Sequence, residues 1–344
     1  MPTRRTVLSG ILPLLVVASA PASVLAAVPR YPVSGTDRHM GADAQSYWDA
    51  KMSGGPGKDG IPAIDNPRFH SAAEADSWLA PDDVVFGLVE NGVVRAYPQR
   101  ILVWHEIVND TVGGDGIAVT YCPLTGTAIA FERGGTEFGV TGQLVNSNLI
   151  MYDRDTDTWY PQILMRGIGG PHAGASLRER ALLWTTWGRW RSAHPETGVL
   201  STDTGFARNY DRDPYGGYNP ISGYYVPDSE TMFPLMNTDD RFANKQVFIG
   251  ARTDRVAMAF NLDSLRAARR LVLEAGDEVF TAVYDEILDT GYVFIGETAG
   301  EAVINPTGPH AVEWVGGDSL EPLNAFAAMW FAWAAFYPDS AVHE

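Results

Sequence analysis

From Asp82 onward the chain is built of short apolar runs broken by turn residues, and the runs alternate with a period of two. Val84-Val85-Phe86-Gly87-Leu88-Val89 leads through Asn91-Gly92 into Val93-Val94-Arg95-Ala96-Tyr97, and Asn-Gly between apolar runs predicts a hairpin. A second hairpin joins Ile117 to Cys122 with Thr127 to Phe131 across Pro123-Leu124-Thr125-Gly126. In its first strand Ile117, Val119 and Tyr121 share one face and Ala118, Thr120 and Cys122 the other, so the thiol lies among small side chains that leave space above it. Phe138 to Leu144, Leu149 to Tyr152 and Thr158 to Tyr160 continue the meander around the turns Asn146-Ser147-Asn148 and Asp153-Arg154-Asp155.

Two stretches predict helices: Leu262 to Ala275, and Asn324 to Phe336 between Pro322 and Pro338. The second is apolar nearly all round but offers about 14 residues where a membrane span needs about 20, so it reads as a buried core helix. The expected class is α+β, β-rich. Laying Val84–Leu102 over Val247–Leu265, a shift of 163, matches Gly87 with Gly250, Val93 with Val256 and Ala96 with Ala259. A further one-residue slip sets Ala118-Val119 on Ala282-Val283. That frame puts His105 opposite Ala268 and Cys122 opposite Glu286, a weak signal of internal duplication.

Ahead of this domain, read as 81–340, the chain is rich in Gly, Pro, Asp and Ser, with Gly54-Gly55-Pro56-Gly57 at the centre of an extended arm over 27–80. Residues 1–26 read as a signal peptide: Thr3-Arg4-Arg5, an apolar stretch from Val7 to Ala20, then small residues around Val24-Leu25-Ala26. The paired arginines point to twin-arginine export, although a basic start also occurs in ordinary secretion signals. The expected location is periplasmic or secreted, with no membrane anchor after cleavage.

Charge narrows the partners. The chain carries 25 basic and 42 acidic residues, net −17; without Arg4 and Arg5 the balance is 23 against 42, net −19. Such a surface repels nucleic acid and anionic membranes, and no Lys/Arg cluster offers a local exception. Cys122 is the only cysteine, so no disulfide forms within the chain, and an unpaired thiol sent into an oxidising compartment must be buried, metal-bound or chemically employed.

Several motifs occur in order: Arg100-Ile-Leu-Val-Trp-His-Glu-Ile-Val-Asn-Asp110, Val119-Thr-Tyr-Cys-Pro-Leu-Thr125, Phe138-Gly-Val-Thr-Gly142 and Asn148-Leu-Ile-Met-Tyr-Asp-Arg154. Thr186-Trp187, His194-Pro195, Val199-Leu-Ser201, Tyr210, Pro214-Tyr215 and the closing Trp330-Phe-Ala-Trp333 with Phe336-Tyr-Pro338 follow. On these the chain resembles the domain-of-unknown-function 3179 family over about residues 80–338. The resemblance implies no settled activity. Family members often carry a second cysteine where this chain has Thr125, so a two-thiol site is not available here.

The chemical reading pairs Cys122 with His105. Thiolate and imidazole are ligands for copper or zinc, and equally the nucleophile and base of thiol catalysis. A metal needs further ligands, with His172, His194 or Met151 as candidates, since no two histidines stand at i, i+2 or i, i+4. The alternative for both residues is a small buried thiol and a structural histidine. Glu106 or Asp153 could instead serve as the acid or base. Tyr121, Met151, Tyr152, Asp153 and Arg154 are the candidate ligand contacts. Calcium is suggested by Asp153-x-Asp155-x-Asp157 and Asn209-x-Asp211-x-Asp213, though neither has a glutamate at the twelfth position and turn chemistry explains both. Trp184, Trp187 and Trp190 form a helical stripe that stacks on a ligand if exposed and on the core if buried. Two hypotheses follow: a metal or thiol redox protein centred on Cys122 and His105, or a non-catalytic extracytoplasmic binding module that uses aromatics and arginines.

Overall fold

The computed structural model describes residues 1–2, 31–307 and 311–344; the signal-peptide reading falls almost entirely on residues 3–30, outside the described residues. Twenty-five short strands and six short helices make up the described chain, a β-rich α+β protein. No helix among the described residues is long and apolar enough to cross a membrane.

Two runs of the chain share one order of elements. In the first, hairpin Val84–Glu90/Val93–Pro98 leads into helix Gln99–His105, then strands Ile107–Val112, Asp115–Cys122 and Thr127–Glu132. In the second, Val247–Arg252/Ala257–Asn261 leads into Leu262–Ala268, then Arg270–Ala275, Glu278–Asp285 and Thr290–Ile295. Register agrees at a constant shift of 163: Val85 faces Pro98 as Phe248 faces Asn261, and Cys122 faces Thr127 as Asp285 faces Thr290. The sequence alignment therefore needs no slip, and Cys122 lies opposite Asp285 rather than Glu286.

Each run is closed by a strand–helix–strand unit from further along the chain. Leu183–Thr186, helix Trp187–Ala193 and Gly198–Leu200 flank the first hairpin; Ala325–Met329, helix Trp330–Phe336 and Ala341–His343 flank the second. In both, the leading strand pairs antiparallel and the trailing one parallel. A tryptophan of each helix lies over a glycine of the hairpin. A Cβ on Gly87 would sit 2.1 Å from Trp190, and one on Gly250 would sit 2.1 Å from Trp333. That approach leaves no room for any side chain, so glycine is required at both places.

Both expected helices are half strand. Leu262–Ala275 stops as a helix at Ala268, where Arg269 turns left-handed (φ 67°) and its amide bonds the Leu265 carbonyl; Arg270–Ala275 then joins a sheet. In Asn324–Phe336 the alanine-rich start pairs with Val247–Arg252, and only Trp330–Phe336 is helical, buried at every residue. The tryptophan stripe divides likewise: Trp184 stands half-buried on a strand while Trp187 and Trp190 lie in the core. Between the runs, Phe138–Val145, Asn148–Asp153 and Trp159–Pro161 form the expected meander.

The N-terminal arm is not extended throughout. Helix Ala44–Ala50 buries Tyr47 against Phe336, with its hydroxyl on the Phe336 carbonyl (3.0 Å), and Phe69–Ser71 joins the first run's sheet. The strand Asp115–Cys122 separates two cores: Ile117, Val119 and Tyr121 pack into one, Ala118 and Cys122 into the other, as the alternation requires.

Candidate functional site

Cys122 ends its strand in the second of these cores and is 1% exposed, so the expected space above the sulfur is filled. Its Sγ lies 3.7 Å from the Ser147 carbonyl. Burial pushes the thiol up to about 11 and the neighbouring Glu106 carboxylate adds to this, outweighing hydrogen bonds from Thr125 and the Leu149 amide. At neutral pH the group is a thiol, a poor nucleophile.

His105 does not bond to it. The ring is 0% exposed, with Nδ1 2.7 Å from the Pro62 carbonyl and Nε2 2.7 Å from the Tyr210 hydroxyl. A carbonyl only accepts, so Nδ1–H donates to Pro62 and Nε2 accepts from Tyr210. This neutral tautomer agrees with a pKa lowered by burial. Both ring nitrogens are committed, which removes the expected thiol–imidazole pair.

The other candidates also serve elsewhere. The His172 ring packs against Tyr31, and the His194 ring packs on Trp190 with its Nε2 buried and unpartnered. Among the described residues no three His, Cys, Asp or Glu side chains gather as a metal site. Met151 is core, facing Tyr160 across paired strands. Tyr152 donates to Asp59, and Arg154 bonds Asp65 (2.7 Å) and Glu137 (2.8 Å). Asp153 accepts from the amide and hydroxyl of Thr156 (2.6 Å each), and Asn209 accepts from the Asp211 amide (3.2 Å), so both calcium-like runs begin in turns. Tyr121 meets the Tyr218 hydroxyl at 3.1 Å and Gln99 at 3.2 Å.

Sequence reasoning underweighted what does surround the sulfur. Glu106 caps its helix with a left-handed φ of 58° and is 6% exposed, and burial lifts its carboxyl to about 8. The equivalent position holds Arg269, exposed and paired with Glu286 at 3.2 Å. The strained cap is thus common to both runs, whereas the buried acid is peculiar to the first. Thr125, next to the thiol, belongs to a network of polar residues each 0% exposed. Thr127 donates to Gln162 Oε1 (2.6 Å), Asn148 to Thr125 (3.0 Å) and Gln162 Nε2 to Thr120 (3.0 Å). The spacing of 163 was the signal that could have separated Glu106 from its counterpart.

The cavity lies elsewhere, at the seam between the two runs, with a volume of about 200 Å³. Equivalent positions of both runs line it: Val84 and Val247, Trp184 and Ala327, Thr186 and Met329. Its polar end is asymmetric. Gly126 and Asp289 are equivalent residues with the same left-handed backbone, φ 59° and 56°. Asp289 bonds Arg266 through Nε (2.9 Å) and Nη2 (3.1 Å), which holds its carboxyl below the usual range despite the opposing effect of burial. Tyr218 adds a second aromatic wall, its ring 5.1 Å from Trp184 and at 79° to it.

The fold and these two sites define an α+β protein with a buried thiol–acid cluster and a separate cavity at an internal seam. The chain belongs to a family described as Protein of unknown function (DUF3179), whose model matches residues 58–340. No curated protein and no solved structure matches the chain.

Proposed function

We propose that this protein is an exported, non-catalytic binding module built from two copies of one unit, and that it holds a small molecule in the cavity at their seam. The constant register shift supports the duplication, because a chance likeness of apolar patterns does not reproduce two left-handed caps and two glycine–tryptophan contacts. One observation carries the binding reading: a predominantly apolar cavity with a few convergent polar groups, lined by equivalent positions of both runs. The burial of the sulfur argues in the same direction, since a thiol enclosed at this depth is not placed to meet a substrate.

Saturation-transfer NMR with a panel of one- and two-ring fragments tests this. Saturable binding that Met329→Trp abolishes supports it; no binding, or binding indifferent to that plug, overturns it.

A second reading is favoured by Glu106, a buried acid whose charge acts on Cys122 and which no hydrogen bond from another side chain among the described residues stabilises. It assigns the pair to thiol chemistry, or to a copper or zinc site using carboxylate oxygen in place of the histidines. Stoichiometric metal in protein from its native compartment, lost in both Glu106→Gln and Cys122→Ser, supports the metal form.

A further inference from the structure

We infer that the seam cavity selects a neutral, planar molecule of one or two rings carrying a hydrogen-bond donor, and rejects ions of either sign. This rests on the cavity being the ligand site.

Size comes first. An apolar cavity of about 150 Å³ engineered into another protein takes up benzene. At about 200 Å³ this one has room for a ring with a polar substituent or for two small fused rings. Shape follows from the Trp184 and Tyr218 rings, which line the cavity and meet edge to face; one face of Tyr218 is covered by Tyr225 (4.0 Å), and a flat molecule packs on the aromatic surface that remains.

Charge is decided by commitments already made at the polar end. Arg266 spends Nε and Nη2 on Asp289 and Nη1 on Asp263 (2.8 Å), so an anion meets a guanidinium whose charge two carboxylates already balance. It would also enter the field of a chain with net charge −17. A cation fares little better. Asp289 is already neutralised by Arg266, which itself lines the cavity, and the remaining walls are largely apolar, so a charge loses its hydration without gaining a free counter-ion.

A neutral donor finds a place. Asp289 Oδ1 accepts from both Arg266 Nε and the Tyr284 hydroxyl, whereas Oδ2 accepts, among the described residues, only from Arg266 Nη2, which leaves a lone pair for a ligand N–H. Thr186 and Thr290 also line the wall, and a threonine hydroxyl can donate or accept.

Calorimetric titration of the mature chain with benzamide, benzoate and benzamidine at pH 7.5 tests this, because the three differ little except in charge. Benzamide is expected to bind at least tenfold more tightly than either ion. Met329→Trp and Leu262→Trp, which plug the cavity at two of its lining positions, should each weaken it at least tenfold, with thermal unfolding checking that each variant folds. Asp289→Asn releases Arg266 and should raise benzoate affinity at least tenfold. Either ion binding as tightly as benzamide, while remaining sensitive to the plugs, overturns the neutral-ligand inference and leaves the cavity as the site. No binding by any of the three, or binding indifferent to both plugs, overturns the cavity reading itself. Should both plugs fail to fold, the response of benzoate to Asp289→Asn decides alone: a tenfold gain supports the inference and no gain overturns it.

Discussion

The first and second runs of this protein are the same scaffold carrying different chemistry. Both have a left-handed helix cap, a glycine under a tryptophan and a hairpin of identical register, so these features are requirements of the fold. Where they diverge, the second run takes the conventional solution: Arg269 in solvent, and a buried Asp285 accepting from the amides of Ile287 and Leu288 (2.8 and 3.0 Å) and from the Tyr292 hydroxyl (3.0 Å). The first run places Glu106 and Cys122 at those two positions, an acid and a thiol both kept protonated by burial. Where two runs of matching register differ, the differing residues are ones that the common arrangement does not require.

Glu106→Gln makes the largest break. Its folded-state carboxyl is raised from 4.5 to about 8, so the folded form holds the proton more tightly than the unfolded form, and stability is lost as pH rises through that window. The variant should match the parent below pH 4.5, then exceed it by about 1.4 kcal/mol per pH unit, levelling above pH 8 at about 5 kcal/mol. Urea unfolding across pH 4–9 measures this, and parallel curves for parent and variant would remove the buried acid from the account.

Next come Gly87→Ala and Gly250→Ala. Each forces a methyl into an indole ring and should cost about 3 kcal/mol, with the two losses alike. A large loss at one site only, by denaturant titration, would break the equivalence of the runs. Asp285→Ala should cost about 2–3 kcal/mol because it orphans three donors, whereas Cys122→Ala should cost about 1 kcal/mol because no turn depends on the thiol. The smallest effect belongs to Arg269→Gln, whose exposed ion pair contributes under about 0.5 kcal/mol.

How much was readable from sequence follows the same division between local and distant causes. Asn91-Gly92 specified its hairpin, and the alternation from Ile117 to Cys122 assigned those side chains to two cores, because both signals lie within a few residues. Leu262–Ala275 misled because its residues all tolerate helix, and the break is imposed by an arginine accepting a left-handed backbone under the pull of a sheet. Ala325–Met329 misled likewise, since alanine favours helix until a partner strand claims it. The thiol's surroundings were the least legible. They come from Glu106, Thr125, Ser147 and Leu149, and nothing in local spacing indicates that Glu106, rather than the adjacent His105, faces the sulfur.

Methyl NMR of the methionines puts the central claim to its most direct test, because Met329 lines the seam cavity while Met151 lies buried in the meander, opposite Tyr160 and away from the cavity lining. On titration with benzamide the Met329 methyl signal should shift saturably while the Met151 signal stays fixed. A ligand that binds and moves Met151 while leaving Met329 untouched would contradict the account and return attention to the thiol.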